Sequence, residues 1–179
     1  MNSKWKNLSS EIVYQDKWVK VFKNILSNSE NKKRDFFYVS LNTFVKVIAV
    51  NSQNEIAVIE NFRQILQKSF LEIPAGIIEP KEKILDAGAR ELKEETGLIA
   101  KDLKLIGEFY TTNGISDQKG YAVLATNLSS GKIHLDEFEE IEPVKFYSIA
   151  EIKNLIAKNF ITDGPSLIAL SIYFAQNGL

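Results

Sequence analysis

Residues 76–98, GIIEPKEKILDAGARELKEETGL, constrain this chain more than any other stretch. Pro80 suits a first helical position and Gly97 suits the residue after a last turn, so the spacing predicts a helix from about Pro80 to Thr96. On a helical wheel Leu85, Gly88, Ala89 and Leu92 recur at i, i+3, i+4 and i+7 and form an apolar face. Glu91, Glu94 and Glu95 gather on a neighbouring face, with Glu95 at the border of the apolar stripe. Like charges at this spacing repel, and partial desolvation raises the cost unless something positive joins them. Arg90 pairs with Glu94 at i+4 but is expected on the far side of the acidic group. Oxygen-only donors at close range suit a hard divalent cation such as Mg2+ or Mn2+. By residue type alone, E-L-K-E-E is an ordinary solvated, salt-bridged face; the flanking residues decide between the two readings.

Around this helix the chain reads as strands. EIVYQD, WVKVFKNIL and FFYVSL (11–16, 18–26 and 36–41) are rich in β-branched and aromatic residues, with the polar turn SNSENKKRD between the last two. VKVIAV (45–50) and EIAVIENF (55–62) flank the turn NSQN, and FLEIPAG (70–76) precedes the helix. Further strands are predicted at 103–110, 121–126 and 141–147. A second helix is predicted near Ser148, with Glu151 completing a capping box, and a third over 165–176 with Pro165 at its start. No internal repeat or low-complexity tract is present. Strands, helix, strands, helices is the order of an α+β fold with a mixed sheet.

The stretch fits the pattern G-x5-E-x7-R-E-U-x-E-E-x-G-U, where U is bulky and apolar. Gly76, Glu82, Arg90, Glu91, Leu92, Glu94, Glu95, Gly97 and Leu98 fill every fixed position. In this it resembles the Nudix hydrolases. The resemblance implies a Nudix-type α/β/α sandwich that holds divalent metal, Mg2+ or Mn2+, against a diphosphate. It makes Glu91 and Glu95 metal ligands, Glu94 an assisting carboxylate, and the backbone carbonyl of Ala75 a further ligand. Glu82 would pair with Arg90 and fix the helix geometry. The chemistry agrees: metal ions neutralise a scissile P–O–P link and activate water, so no protein nucleophile is required.

Three further stretches resemble the ADP-ribose pyrophosphatases and related nucleoside diphosphate sugar hydrolases: ENFRQILQKSFLEIPAG (60–76), EEIEPVKFYSIAEIKNLI (139–156) and ITDGPSLIALSIYF (161–174). By that likeness Arg63 reaches the diphosphate or base, as a guanidinium fork suits phosphate oxygens. Glu72 either contacts substrate or supports the loop. In DEFEEIE (136–142), Glu137 is the candidate base and Glu139 a candidate ligand, with Glu140 close enough to share either role. Asn113 stands where ADP-ribose enzymes often carry proline, which favours a broader nucleoside diphosphate sugar hydrolase. His134 beside the acidic loop reads as incidental, and Trp5 and Trp18 as packing residues. The subfamily also implies a homodimer, with residues 1–42 pairing between subunits and helping to build the base pocket, and 43–179 forming the hydrolase domain.

Composition sets outer bounds. In 179 residues, 45% hydrophobic and 25% charged content is typical of a soluble globular protein, and a net charge of −1 advertises neither nucleic acid nor an anionic membrane. With no Cys, disulfides, thiolate nucleophiles and Cys-ligated zinc are excluded, which fits a cytoplasmic location. The start has no apolar signal-peptide core, and no apolar run approaches the ~20 residues of a membrane span. Alternatives within the enzyme class are coenzyme A or a nucleoside triphosphate as substrate. From another class, the alternative is a non-catalytic nucleotide sensor, which has no need of three glutamates together.

Overall fold

A computed structural model describes residues 4–135 and 140–179. Its contacts divide the chain into two compact units, one of residues up to Thr43 with Tyr110–Lys119, the other of Phe44–Phe109 with Gly120–Leu179. The excursion Tyr110–Lys119 thus joins the first unit, although in sequence it lies far inside the predicted hydrolase domain.

In the first unit β1 (Trp5–Gln15), β2 (Val19–Asn28) and β3 (Lys33–Leu41) form an antiparallel sheet in that order. The predicted polar turn at 27–35 is shorter than expected. Pairing continues to Ser27↔Lys33, and Asn28 tightens the connection by accepting the N–H groups of Glu30 and Lys32 on its side chain. Trp5 and Trp18 do not pack into a core of this chain; they are 38% and 54% exposed. They lie on or beside β1, whose residues are all exposed.

The second unit contains β4 (Phe44–Ala49), β5 (Glu55–Arg63), β6 (Lys68–Glu72), β7 (Ala75–Ile77), α1 (Ile84–Thr96), α2 (Ile149–Ala157) and α3 (Gly164–Asn177). It also contains β10 (Lys145–Ser148) and most of β8 (Leu98–Tyr110) and β9 (Lys119–Ser130). One sheet has the order β7-β4-β9-β8 with β4 parallel to β9, and another has the order β10-β5-β6. The fold is therefore mixed α+β. β4 is buried along its whole length, and its alternate residues feed two cores. Phe44 and Ile48, with Val50 just past the strand, join Ala169, Leu170 and Tyr173 of α3 and Ile152 of α2. Val45, Val47 and Ala49 join Ala87 and Leu92 of α1. Helices thus cover both faces of one sheet, as the α/β/α expectation requires.

Three sequence expectations need correction here. The stretch 70–76 is not one strand: β6 pairs with β5 and β7 pairs with β4, and the chain changes sheets at Ile73–Pro74, where proline supplies no ladder donor. Helix α1 begins at Ile84 rather than Pro80. The preceding residues form a loop in which Glu82 accepts the Glu79 N–H and Lys81 takes φ 74. The buried face of α1 is Ala87, Gly88, Glu91, Leu92 and Glu95, while Leu85 points outward at 37% exposure. The other ends match their signals: Gly97 closes α1 at φ 70, and Ser148 and Glu151 form a reciprocal capping box on α2.

Candidate active site

The corrected helix face makes Glu91 and Glu95 buried residues, 8% and 4% exposed, rather than a neighbouring solvated stripe. They face the short strand β7. An ideal Cβ on Gly76 would lie 1.9 Å from the Glu91 carboxyl carbon, so the Glu91 carboxylate rests on the one backbone position that leaves room for it. Glu95 Oε2 accepts the Ala75 N–H at 2.9 Å. The direction of the Ala75 carbonyl follows from the strand pairing. Val47 N–H donates to Pro74 O, which makes the next pair, Lys46↔Ala75, a non-hydrogen-bonded one. The N–H and C=O of Ala75 therefore both point away from β4, and the N–H meets Glu95 of α1.

Arg90 is not on the far side of the acidic group. Its Nη1 donates to Glu91 Oε1 at 2.7 Å and to Glu94 Oε2 at 3.0 Å, while its Nε and Nη2 engage both oxygens of Glu82 at 2.9 and 3.0 Å. Nη2 also reaches the Ile77 carbonyl at 2.9 Å. One guanidinium thus ties the helix to the loop before it and offsets part of the repulsion. The Glu82 partnership, more than any other contact, holds the Arg90 guanidinium protonated well above its ordinary range, and Arg90 holds the Glu82 carboxyl below the usual carboxylate range. Glu94 is the most open of these acids, its side chain 38% exposed.

Beside this cluster Glu72 is 2% exposed. Its Oε1 accepts Arg63 Nε at 2.8 Å and its Oε2 accepts Arg63 Nη2 at 2.5 Å and Lys46 Nζ at 3.2 Å. Both of its carboxylate oxygens are thus committed to protein cations. Arg63 keeps a side chain 47% exposed. Its guanidinium is held above the ordinary range chiefly by the Glu72 hydrogen bonds, with smaller contributions from the charges of Asp163 and Glu95. Sequence reasoning missed Lys46, Asp163 and Ser166, which complete this buried network. The available signal was a lysine inside the otherwise apolar run FVKVIAV.

Glu137 and Glu139 lie outside the described residues. Glu140 Oε1 accepts from Gln64 Nε2 at 2.7 Å, and its carbonyl accepts the Phe62 N–H. Earlier in that connection the His134 N–H donates to Glu94 O, at the last turn of α1. Among the described residues no three carboxylate or imidazole groups are drawn together at cation-binding distance; Arg90 occupies the place between Glu91 and Glu94. The two buried carboxylates, Glu91 and Glu95, offer hard oxygens of the kind a divalent cation takes.

The NUDIX domain model matches residues 42–167. An ADP-ribose pyrophosphatase of Bacillus subtilis (strain 168) is 32% identical over 82% of this chain and 77% of its own length. A methanol dehydrogenase activator of Bacillus methanolicus is 31% identical over 86% of this chain and 83% of its own. A solved structure described as an ADP compounds hydrolase superposes with a TM-score of 0.86 at 22% identity, covering 98% of this chain and 97% of that one. With the motif filled and its residues assembled as described, the chain belongs to the Nudix family and is a hydrolase of the ADP-ribose pyrophosphatase-like kind.

Proposed function

We propose that this enzyme hydrolyses the diphosphate bond of a nucleoside diphosphate sugar, with ADP-ribose giving AMP and ribose 5-phosphate as the leading case. What supports this reading is that Glu91 and Glu95 lie buried beside β7, where the strand pairing turns the Ala75 carbonyl away from β4. Nudix hydrolases use divalent metal ions, and these three groups would hold one, Mg2+ or alternatively Mn2+. When bound, such a cation neutralises the diphosphate and lowers the pKa of a bound water. The protein groups do the rest. Arg63, steadied by Glu72, presents its exposed guanidinium to phosphate oxygens. Glu94 assists from the open edge, Glu137 accepts the proton of the attacking water, and Glu139 adds a ligand. The names of the similar proteins, an ADP-ribose pyrophosphatase and an ADP compounds hydrolase, support the substrate class.

A cavity of about 380 Å³ in the first unit supports a base pocket. Phe36, Tyr38 and Tyr110 line it together with Asn113 and Ile115. Aromatic faces of this kind stack on a nucleobase. The departure from the proline pattern, Asn113, falls on this wall, which favours tolerance for more than one nucleoside. Assayed against a panel of nucleotides with phosphate-release coupling, the enzyme is expected to prefer diphosphate sugars. Nucleoside triphosphates turned over tenfold better than every diphosphate sugar would refute the substrate class.

The same unit supports a homodimer. Leu8, Ile12, Tyr14 and Trp18 are 55%, 47%, 53% and 54% exposed along or beside the edge strand β1, an apolar edge of the kind a second copy covers. The expected solution mass is twice the 20.3 kDa chain. Deleting residues 1–41 is expected to give a poorly soluble protein; a well-behaved, fully active monomer after that deletion would contradict the shared site. Among the described residues no helix is long and apolar enough to cross a membrane, and we place the enzyme in the cytoplasm.

A further inference from the structure

Lys46 stands in the middle of a strand that is otherwise apolar, on the face that carries Phe44 and Ile48 toward α3. It is 3% exposed. Its ammonium meets Glu72 Oε2 at 3.2 Å, Asp163 Oδ2 at 2.9 Å and the Ile73 carbonyl at 3.3 Å, three acceptors for three protons. Asp163 caps α3 by accepting the Ser166 N–H at 2.9 Å, and also takes the Ser166 hydroxyl at 2.6 Å. The Ser166 Oγ in turn accepts the Ile73 N–H at 3.2 Å. Burial pushes the Asp163 carboxyl up, but the Lys46 charge and the Ser166 donors more than offset it, leaving it below its ordinary range.

Both polar groups of the Ile73 backbone are therefore held by this network, Ile73 O by Lys46 and Ile73 N–H by Ser166. The next two residues are fixed from the other side: Pro74 O by the Val47 N–H, and Ala75 N–H by Glu95. Ile73 lies where the chain leaves one sheet for the other, so no continuous ladder sets its direction. Stability alone does not account for a buried lysine there, because apolar side chains in place of a buried ion pair often serve the fold as well or better. What the ammonium supplies is geometry, at a point two residues before Ala75.

We propose that Lys46 is a positioning residue of the hydrolytic centre. Through Ile73 it fixes the turn that aims the Ala75 carbonyl, and through the shared Glu72 it fixes the guanidinium of Arg63. This inference rests on the roles given above to Ala75 and Arg63.

The test uses the full-length protein and Mn2+ as the probe, with binding followed by electron paramagnetic resonance and turnover measured separately. The wild type alone decides the functional reading: no Mn2+ binding and no hydrolysis would end that reading, whatever Lys46 does. Given an active wild type, Lys46→Met is expected to bind Mn2+ about tenfold more weakly and to lose kcat by a similar factor, as outer-shell partners of metal ligands do. A merely structural ion pair would behave otherwise in the charge-balanced double variant Lys46→Met/Asp163→Asn, in which Arg63 and Glu72 still neutralise each other and Asn still caps α3. The double variant is expected to melt near the wild-type temperature while Mn2+ affinity stays reduced. Recovery of melting temperature, Mn2+ affinity and kcat together would overturn the proposal. Ser166→Ala keeps every charge and is expected to fold even if Lys46→Met does not. It removes the acceptor for Ile73 N–H, so Mn2+ affinity should fall in it too, and wild-type affinity and kcat in Ser166→Ala would count against the proposal.

Discussion

Glu95→Gln is expected to lower kcat by ~10^2-fold or more, the scale of removing a main electrostatic stabiliser. The substitution keeps size and shape, and its amide oxygen can still accept the Ala75 N–H that Glu95 Oε2 accepts at 2.9 Å. What disappears is one negative charge on a buried helix face. In EDTA the variant should melt at or slightly above the wild-type temperature, since one carboxylate fewer repels its neighbours. The gain is small because Arg90 already bridges Glu91 and Glu94. On adding Mg2+ the wild type should be stabilised, because a ligand bound only by the folded state adds stability. The variant should respond less. Melting both proteins with and without Mg2+ checks this, and equal shifts would show that Glu95 is no ligand.

Gly76→Ala should produce the second large effect, with a different signature. The new methyl group would stand 1.9 Å from the Glu91 carboxyl carbon and 2.1 and 2.2 Å from its oxygens. Those atoms are the far end of a flexible side chain, so the backbone need not move; the carboxylate swings away instead. The expected outcome is a kcat loss on the order of 10^2-fold, because a group placed for the transition state is displaced. The loss of stability should stay within the range of mild overpacking, about 1–3 kcal/mol. Steady-state kinetics beside urea unfolding measure the two separately. Wild-type kcat in this variant would mean that the position of the Glu91 carboxylate over Gly76 is irrelevant to turnover.

Much of the site was legible because its residues are local. Glu82, Arg90, Glu91, Glu94 and Glu95 lie within fourteen residues, and the αL closure at Gly97 and the capping box at Ser148 are short-range signals with direct physical causes. The buried face of α1 departs from the apolar stripe because periodicity counts glutamates as solvent-facing. Burial of Glu91 and Glu95 against β7 depends on Arg90 and on the turn at Ile73–Ala75, neither of which is visible to periodicity. The break between β6 and β7 was hidden for a related reason: FLEIPAG is uniformly strand-like, and only tertiary pairing shows that its halves serve different sheets. Asp163 and Ser166 were absent from the sequence reading because their partners, Lys46 and Ile73, are roughly a hundred residues away, beyond any local pattern.

Lys46 also bears on how faithfully the chain finds its fold. The strand FVKVIA is so evenly apolar that its two faces, Phe44 and Ile48 on one side and Val45 and Val47 on the other, are nearly interchangeable by hydrophobicity. A slip of one residue against β9 would exchange them at little cost in apolar burial. It would also carry the ammonium to the opposite side, among Ala87, Leu92 and Val123, with Glu72 and Asp163 left behind it. An unpaired buried charge of that kind costs several kcal/mol, a large share of the total stability of a domain. In that register electrostatics would penalise the mispaired chain where hydrophobicity alone would not tell the difference.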